Sequence, residues 1–234
     1  MVDFHSHILP GMDDGAENVN VSLRMLKESS VQGVNVIFAA PHYYADREAP
    51  NAFLRRRAAS YDRLKKAMMR SKLKYPELYL GAEILYFPGM SGTEELKQLT
   101  MGDTHCLLIE LPMRKITDVM LDEIEQVGKN LRCVPVLAHA DRYMRLLNDN
   151  MLLERLTERK ILAQVNADFF LQKSSLPMAI ECLRKGQFHF IGSDCHNLTD
   201  RAPNMGQAAA AIREAGATRI FADFNKKIYH FLDR

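Results

Sequence analysis

The sequence predicts an α/β protein folded as a closed or nearly closed barrel of seven parallel strands. Three observations carry that expectation. Short apolar runs alternate with helix-period segments from one end to the other, which is the mark of parallel β-α units. Composition does not shift along the 234 residues, and a barrel of this kind fills that length as a single domain, 1–234. The side chains able to do chemistry fall at the carboxyl ends of the strands, where such barrels keep their active sites.

The elements follow in order. A strand over 2–7 runs into a turn marked by Pro10, Gly11 and Gly15. A helix over 19–30 puts Val21, Met25 and Leu26 on one side, and Gly33 stops it. The second strand, 33–40 (GVNVIFAA), ends in Pro41-His42. A charged helix spans 52–71, with Leu54, Tyr61, Leu64 and Met68 at helical spacing; its run Arg55-Arg56-Arg57 reads as a solvated face. The third strand is 77–83 (ELYLGAE), followed by a loop with Pro88 and Gly89 and a short helix near 94–99. The fourth strand, 105–110 (HCLLIE), leads to a helix over 117–129 capped by Thr117. The fifth is 133–139 (CVPVLAH), then a helix over 151–159 and a sixth strand over 161–166. A helix over 177–185 stops at Gly186, and the seventh strand is 188–194 (FHFIGSD). Helices over 205–215 and 225–232 close the chain.

Composition excludes several function classes. A net charge of +2 gives no reason to expect nucleic acid or an anionic membrane as partner. No apolar run approaches the ~18 residues of a membrane span, and the N-terminal stretch lacks the pattern of a signal peptide. Cys106, Cys133, Cys182 and Cys195 are scattered and form no C-x-x-C, as expected of reduced thiols in a cytoplasmic protein.

The strand ends carry the chemistry. Alternation puts His5 and His7 on one face of the first strand, and Asp13 and Asp14 on the turn beyond can fold back toward them. The second strand ends at His42, the third at Glu83, the fourth at Glu110 and the fifth at His139. The seventh ends at Asp194, followed by His196; the sixth offers only Asn166, with Asp168 two residues on. On a barrel these groups converge on one small volume. Two or three divalent cations there would offset the carboxylate charge and hold the imidazoles as neutral ligands. The His/Asp/Glu mixture suits borderline and hard divalent ions, among them manganese, iron, zinc and magnesium. His105, His189 and His230 stand apart and are read as structural.

The segments VDFHSHILPGMDDGA, APH, GAEI, LLIELP, LAHADRY and GSDCHNLTDRAPNMG, in order from the first residues to about Gly206, resemble the PHP (polymerase and histidinol phosphatase) family. In particular they resemble its CpsB-type metal-dependent protein-tyrosine phosphatases of bacterial capsule and exopolysaccharide systems. The opening motif and the final D-x-H-N are the specific parts. The resemblance implies a distorted (β/α)7 TIM-like barrel, the PHP fold, and a three-metal site, often manganese. Its ligands would be His5, His7, Asp14, His42, Glu83, Glu110, His139, Asp194 and His196. The implied activity is hydrolysis of phosphotyrosine on a protein, with a bacterial tyrosine kinase as partner. Two departures bear on substrate preference more than on metal. Tyr43-Tyr44 stand where the family often has further histidines, and Ala140-Asp141 stand inside a motif that is usually H-P-E-R-Y. Arg142 and Arg201 each follow a ligand motif closely, and a guanidinium matches phosphate geometry, so both are expected to bind the phosphoryl group.

The same metal site would serve a histidinol-phosphate or other small-molecule phosphatase. A non-catalytic phosphotyrosine-binding regulator would be expected to lack ligands. An amidohydrolase usually places a bridging Lys where this chain has Glu110. Cys195 to Arg201 has the C-x5-R spacing of cysteine-dependent tyrosine phosphatases. The loop lacks glycine, however, and Asp194 directly before the thiol opposes its ionisation, so Cys195 is not expected to be the nucleophile.

Overall fold

The structure, a computed structural model, describes residues 1–147, 149 and 151–232, without the side chains of His230 and Phe231, so the reading of His230 lies outside the described residues. The strands are β1 (Val2–Ser6), β2 (Val36–Ala39), β3 (His42–Tyr43), β4 (Glu77–Leu80), β5 (Glu83–Leu85), β6 (Cys106–Glu110), β7 (Val134–Leu137), β8 (Leu162–Asn166) and β9 (Phe190–Gly192). All pair in parallel, in the orders β1-β2-β4 and β3-β5-β6-β7-β8-β9. The first and last strands meet. Ser6 bridges Cys195, the His7 N–H donates to the Cys195 carbonyl (2.9 Å), and the Asp194 N–H donates to the His5 carbonyl (2.8 Å). The wall therefore curls round on itself as a distorted α/β barrel.

The distortion has a local cause. The predicted second and third strands each break in two, giving β2 with β3 and β4 with β5. β2 pairs with β4 below the break, β3 pairs with β5 above it, and only β5 continues to β6. Pro41 sits at one break and has no N–H to give a ladder. Gly81 sits at the other. A Cβ there would lie 2.3 Å from the Met101 sulfur. The break leaves the Gly81 carbonyl without a ladder partner, and the Arg57 guanidinium donates to it at 2.6 Å.

That contact corrects the reading of Arg55-Arg56-Arg57 as a solvated face at Arg57 alone, since Arg55 and Arg56 are exposed. Arg57 is buried, and burial lowers its pKa to about 10. Helix α2 (Pro50–Ser71) turns inward along Phe53, Arg57, Ser60 and Leu64, and the other members of the expected stripe, Leu54, Tyr61 and Met68, pack against the core partly buried. Ser60 donates to the Pro10 carbonyl at 2.7 Å. Polar side chains on the inner face, each satisfied by a carbonyl, widen the buried face beyond the apolar stripe.

The remaining helices are α1 (Val19–Val31), α3 (Asp118–Leu131), α4 (Ala140–Leu147), α5 (Leu152–Glu158), α6 (Leu176–Arg184), α7 (Met205–Glu214) and α8 (Thr218–Leu232). Asn18 caps α1, accepting from the N–H groups of Asn20 and Val21. Thr117 caps α3 as expected. Helix α4 was not expected; it starts directly behind His139 with no Ser, Thr or Asn cap, and α8 begins well before the expected start at 225. The expected short helix at 94–99 is a 3-10 turn (Glu94–Leu99). Below the site, rings from three neighbouring strands pack together, stacked for one pair and tilted for the other. Phe4 lies 3.8 Å from Phe190 at 10° and 4.8 Å from Phe38.

Gly192 lets β9 pass against β1, since a Cβ there would stand 2.5 Å from the His5 Cβ and 2.9 Å from its nitrogen. Gly192→Ala should cost about 1–3 kcal/mol through forced backbone shifts. Urea unfolding measures this, and an unchanged midpoint would show that the seam between β1 and β9 yields freely.

Candidate metal centre

His5 and His7 leave the same face of β1, and hydrogen bonds to their inner ring nitrogens aim them. The Gln164 amide oxygen accepts the backbone N–H of His139 (2.7 Å), so the ring Nδ1–H of His5, 3.1 Å away, also donates to it. Asp13 Oδ2 accepts the Nδ1–H of His7 at 2.8 Å. Both Nε2 atoms are thereby turned toward one another, 3.1 Å apart. Two ligands of one first-row ion, each at about 2.1 Å, stand roughly 3.0–3.4 Å apart.

Glu83 closes on the same point. It is 1% exposed, and its Oε2 lies 3.2 Å from His5 Nε2, 3.3 Å from His7 Nε2 and 3.1 Å from His42 Nδ1. Oε1 lies 3.0 Å from His139 Nε2, which is also 3.3 Å from Glu110 Oε1. On the open side, Asp14 Oδ1 stands 3.6 Å from His42 Nε2 and 3.4 Å from His196 Nε2. Three sets of donors have ligand atoms within 4.8 Å of one another: His7, Asp14, His42 and His196; His5, His7 and Glu83; His42, Glu83 and Glu110. His139 and Asp194 belong to none of these sets but adjoin them, Asp194 Oδ1 being 3.4 Å from His7 Nε2. Arg142 and Arg201 each hold one oxygen of Asp194, at 2.8 and 3.0 Å. All nine residues expected as ligands and both arginines thus meet at one end of the barrel.

The donor set fits divalent cations by its own chemistry. Glu83 Oε2, His42 Nδ1, His139 Nδ1 and His196 Nε2 are buried without a hydrogen-bond partner, and orphaned polar atoms of this kind call for an ion or another partner. Burial works against ionised Glu83 and Asp194, yet neighbouring histidines, His5 foremost, hold both carboxyls well below their ordinary range. Burial likewise opposes charge on His139, but Glu110 and Glu83 outweigh it and raise the ring to about 9. Burial and the His7 charge bring His196 down to about 4, keeping it neutral at pH 7.

Two of these positions sit on unusual backbone. His139 (φ 33°) and Asp194 (φ 52°) are left-handed, a conformation that non-glycine residues rarely adopt. Each turns the chain sharply at a strand end and points its side chain into the centre.

Sequence reasoning did not find Gln164 or Tyr143, and it placed Asn166 at the sixth strand end and Asp13 on the turn without giving either its role. Asn166 donates from Nδ2 to Asp194 at 3.1 Å, and its Oδ1 accepts from Gln164 Nε2 at 3.0 Å. Tyr143 clips α4 to the chain after β6, accepting from the Leu111 N–H (2.8 Å) and donating to its carbonyl (2.7 Å). The alternation of β8 would have exposed Gln164, a polar residue at an inward position. Asp168, beyond it, is exposed and takes no part. Cys195 is fully buried, and burial together with Asp3 pushes its thiol up to about 12, which removes it as a nucleophile. A cavity of about 260 Å³ opens on the site beside Asp14 and His42. A larger one, about 370 Å³, lies against His189, Phe190 and Phe224 and contains none of these ligands.

The fold and the donor set define an α/β barrel with a histidine–carboxylate centre suited to divalent ions. The chain belongs to the family described as capsular polysaccharide synthesis, CpsB/CapC, whose profile matches residues 1–229. It is 28% identical to the tyrosine-protein phosphatase CpsB of Streptococcus agalactiae over 94% of this chain and 93% of that one. It is 29% identical to the tyrosine-protein phosphatase YwqE of Bacillus subtilis over 86% and 79% of the two chains. A solved structure from work on YwqE of Bacillus subtilis and CpsB of Streptococcus pneumoniae, described as metal-dependent tyrosine phosphatases, has a TM-score of 0.82 at 24% identity. It covers 97% of this chain and 92% of that one, and so shares the fold.

Asp13 fixes the tautomer of His7, and removing such a partner typically costs about 10–100-fold in metal affinity. Asp13→Ala should therefore weaken Mn(II) binding on that scale, read by competition with a chelating dye. Wild-type affinity would show that His7 needs no such orientation.

Proposed function

We propose that the chain is a phosphomonoester hydrolase that removes phosphate from tyrosine on a protein, using two or three divalent ions, manganese foremost. The reading rests on one observation: a buried His/Asp/Glu donor cluster with two arginines at its rim, in a chain whose named relatives are tyrosine phosphatases. In this reading His5, His7, Asp14, His42, Glu83, Glu110, His139, Asp194 and His196 hold the ions. The substrate we favour is a bacterial tyrosine kinase, met in the cytoplasm.

Bound divalent ions would supply an activated water and neutralise charge on the phosphoryl oxygens. The rest falls to the chain. Gln164 and Asp13 fix the ring tautomers of His5 and His7. Arg142 and Arg201 are partly exposed, and each spends one N–H on Asp194. A guanidinium has five N–H donors, so both retain donors for the equatorial oxygens. Asp194 spaces the two forks across the site. No general acid is assigned, and a phenolate leaving group, with pKa ~10, has little need of one.

The deciding experiment offers the metal-reconstituted protein phosphotyrosyl and phosphoseryl peptides, histidinol phosphate and small alkyl phosphates. Turnover of the phosphotyrosyl peptide above the others is expected, and turnover confined to histidinol phosphate would replace this reading. Arg142→Ala and Arg201→Ala should each lower kcat on the order of a hundredfold while elemental analysis finds the wild-type metal content. Near-normal kinetics in both would remove them from the mechanism. Cys195→Ala should keep most activity, whereas thorough chelation should abolish it until metal is returned. A dead, metal-loaded Cys195→Ala enzyme would overturn the metal mechanism.

A further inference from the structure

The two tyrosines behind His42 part company. Tyr43 is buried and meets Phe53 edge-on, with ring centroids 5.3 Å apart at 70°. Tyr44 is half-buried and lines the cavity of about 260 Å³ beside Asp14 and His42. Its ring lies 5.4 Å from that of His42 at 26°, nearly parallel to it. The Arg47 guanidinium lies over the Tyr44 ring, 4.1 Å from its centroid, and this cation–π contact fixes the tilt of the phenol. The other arginine of the cavity is committed elsewhere. Arg56 forks onto Glu48 and donates to the Met12 carbonyl at 3.1 Å, so the pair is neutral and stationary. What this wall presents next to the metal-ligand atoms is an aromatic ring held in place.

We infer that Tyr44, pinned by Arg47, binds the aryl group of the phosphoester and so sets the preference for aryl over alkyl phosphates. The inference rests on the phosphatase reading above. With phosphate at the donor cluster and between Arg142 and Arg201, the organic group of the ester leaves through the opening beside Asp14 and His42, along Tyr44. A tyrosyl ring packs on Tyr44 by offset or edge contact, whereas a seryl methylene has no ring to offer. Tyr44 is thus a specificity determinant that acts on the leaving group and not on phosphorus.

The test compares two ligands with the same head, phenylphosphonate and methylphosphonate, by calorimetry on Mn(II)-loaded protein of matched metal content. Wild type should bind the phenyl compound about three- to tenfold more tightly, the range of one aromatic pair. In Tyr44→Ala the ratio of the two dissociation constants should fall to near one, and Tyr44→Phe, which keeps the ring, should restore it. A wild type without preference, a Tyr44→Ala protein that keeps the ratio, or a loss of affinity for both ligands alike would overturn the inference. Turnover of a phosphotyrosyl peptide is scored separately. Protein with a Tyr44-dependent ratio and no such turnover would keep the aryl subsite and refute the phosphatase reading.

Discussion

Glu83 is a carboxylate that water does not reach, ringed by the imidazoles of His5, His7, His42 and His139. An isolated charge in that position would be penalised heavily. It is tolerable because the groups around it are cations or ligands of cations. Much of the architecture follows from delivering Glu83 there. The breaks at Pro41 and Gly81 set β3 beside β5, so that His42 and Glu83 become direct cross-strand partners. The break in turn exposes a carbonyl, and Arg57 reaches in from α2 to satisfy it. A buried arginine outside the donor cluster is therefore part of the same construction as the cluster itself.

The strained turns answer a related need. A strand running straight on at His139 or Asp194 would carry these side chains along the barrel axis. The left-handed residues bend the chain at the rim. Each is held by a hydrogen bond from its own N–H, to the Gln164 side chain in one case and the His5 carbonyl in the other. Gln164 thus serves the backbone of β7 and the ring of His5 at once. Positions that bear strain and ligation together are over-determined by their neighbours, as strained residues at functional sites must be.

The barrel and the gathering of His, Asp and Glu side chains at its strand ends were legible because each depends on local pattern. Apolar runs of β length recur between helical stretches, and the period of two fixes His5 and His7 on one face without reference to anything distant. What could not be read is what depends on partners far along the chain. Arg57 looked solvated because its acceptor, Gly81, lies 24 positions away. Gln164 looked like an ordinary strand residue because His5, which it orients, is 159 positions off. The strand breaks were invisible for a different reason. Pro41 and Gly81 read equally well as the ends of strands or as kinks within them, and only the pairing of β3 with β5 decides between the two. Helix α4 escaped because it follows a left-handed residue with no capping side chain, and Asp141 in its first turn is a weak start signal by itself.

The meeting of β1 with β9 has a kinetic consequence. Asp3 accepts from the backbone and hydroxyl of Ser193, 190 positions away. The strand that carries the first two histidines pairs with nearby β2, but its seam with β9 can close only when the last strand is present. Closing a loop of that size gains nothing until the intervening strands have assembled, so folding should be slow and dominated by non-local contacts. During synthesis the opening histidines must wait for nearly the whole polypeptide to emerge. An incomplete chain would hold the histidine and carboxylate donors without the geometry that brings them together before the barrel has closed.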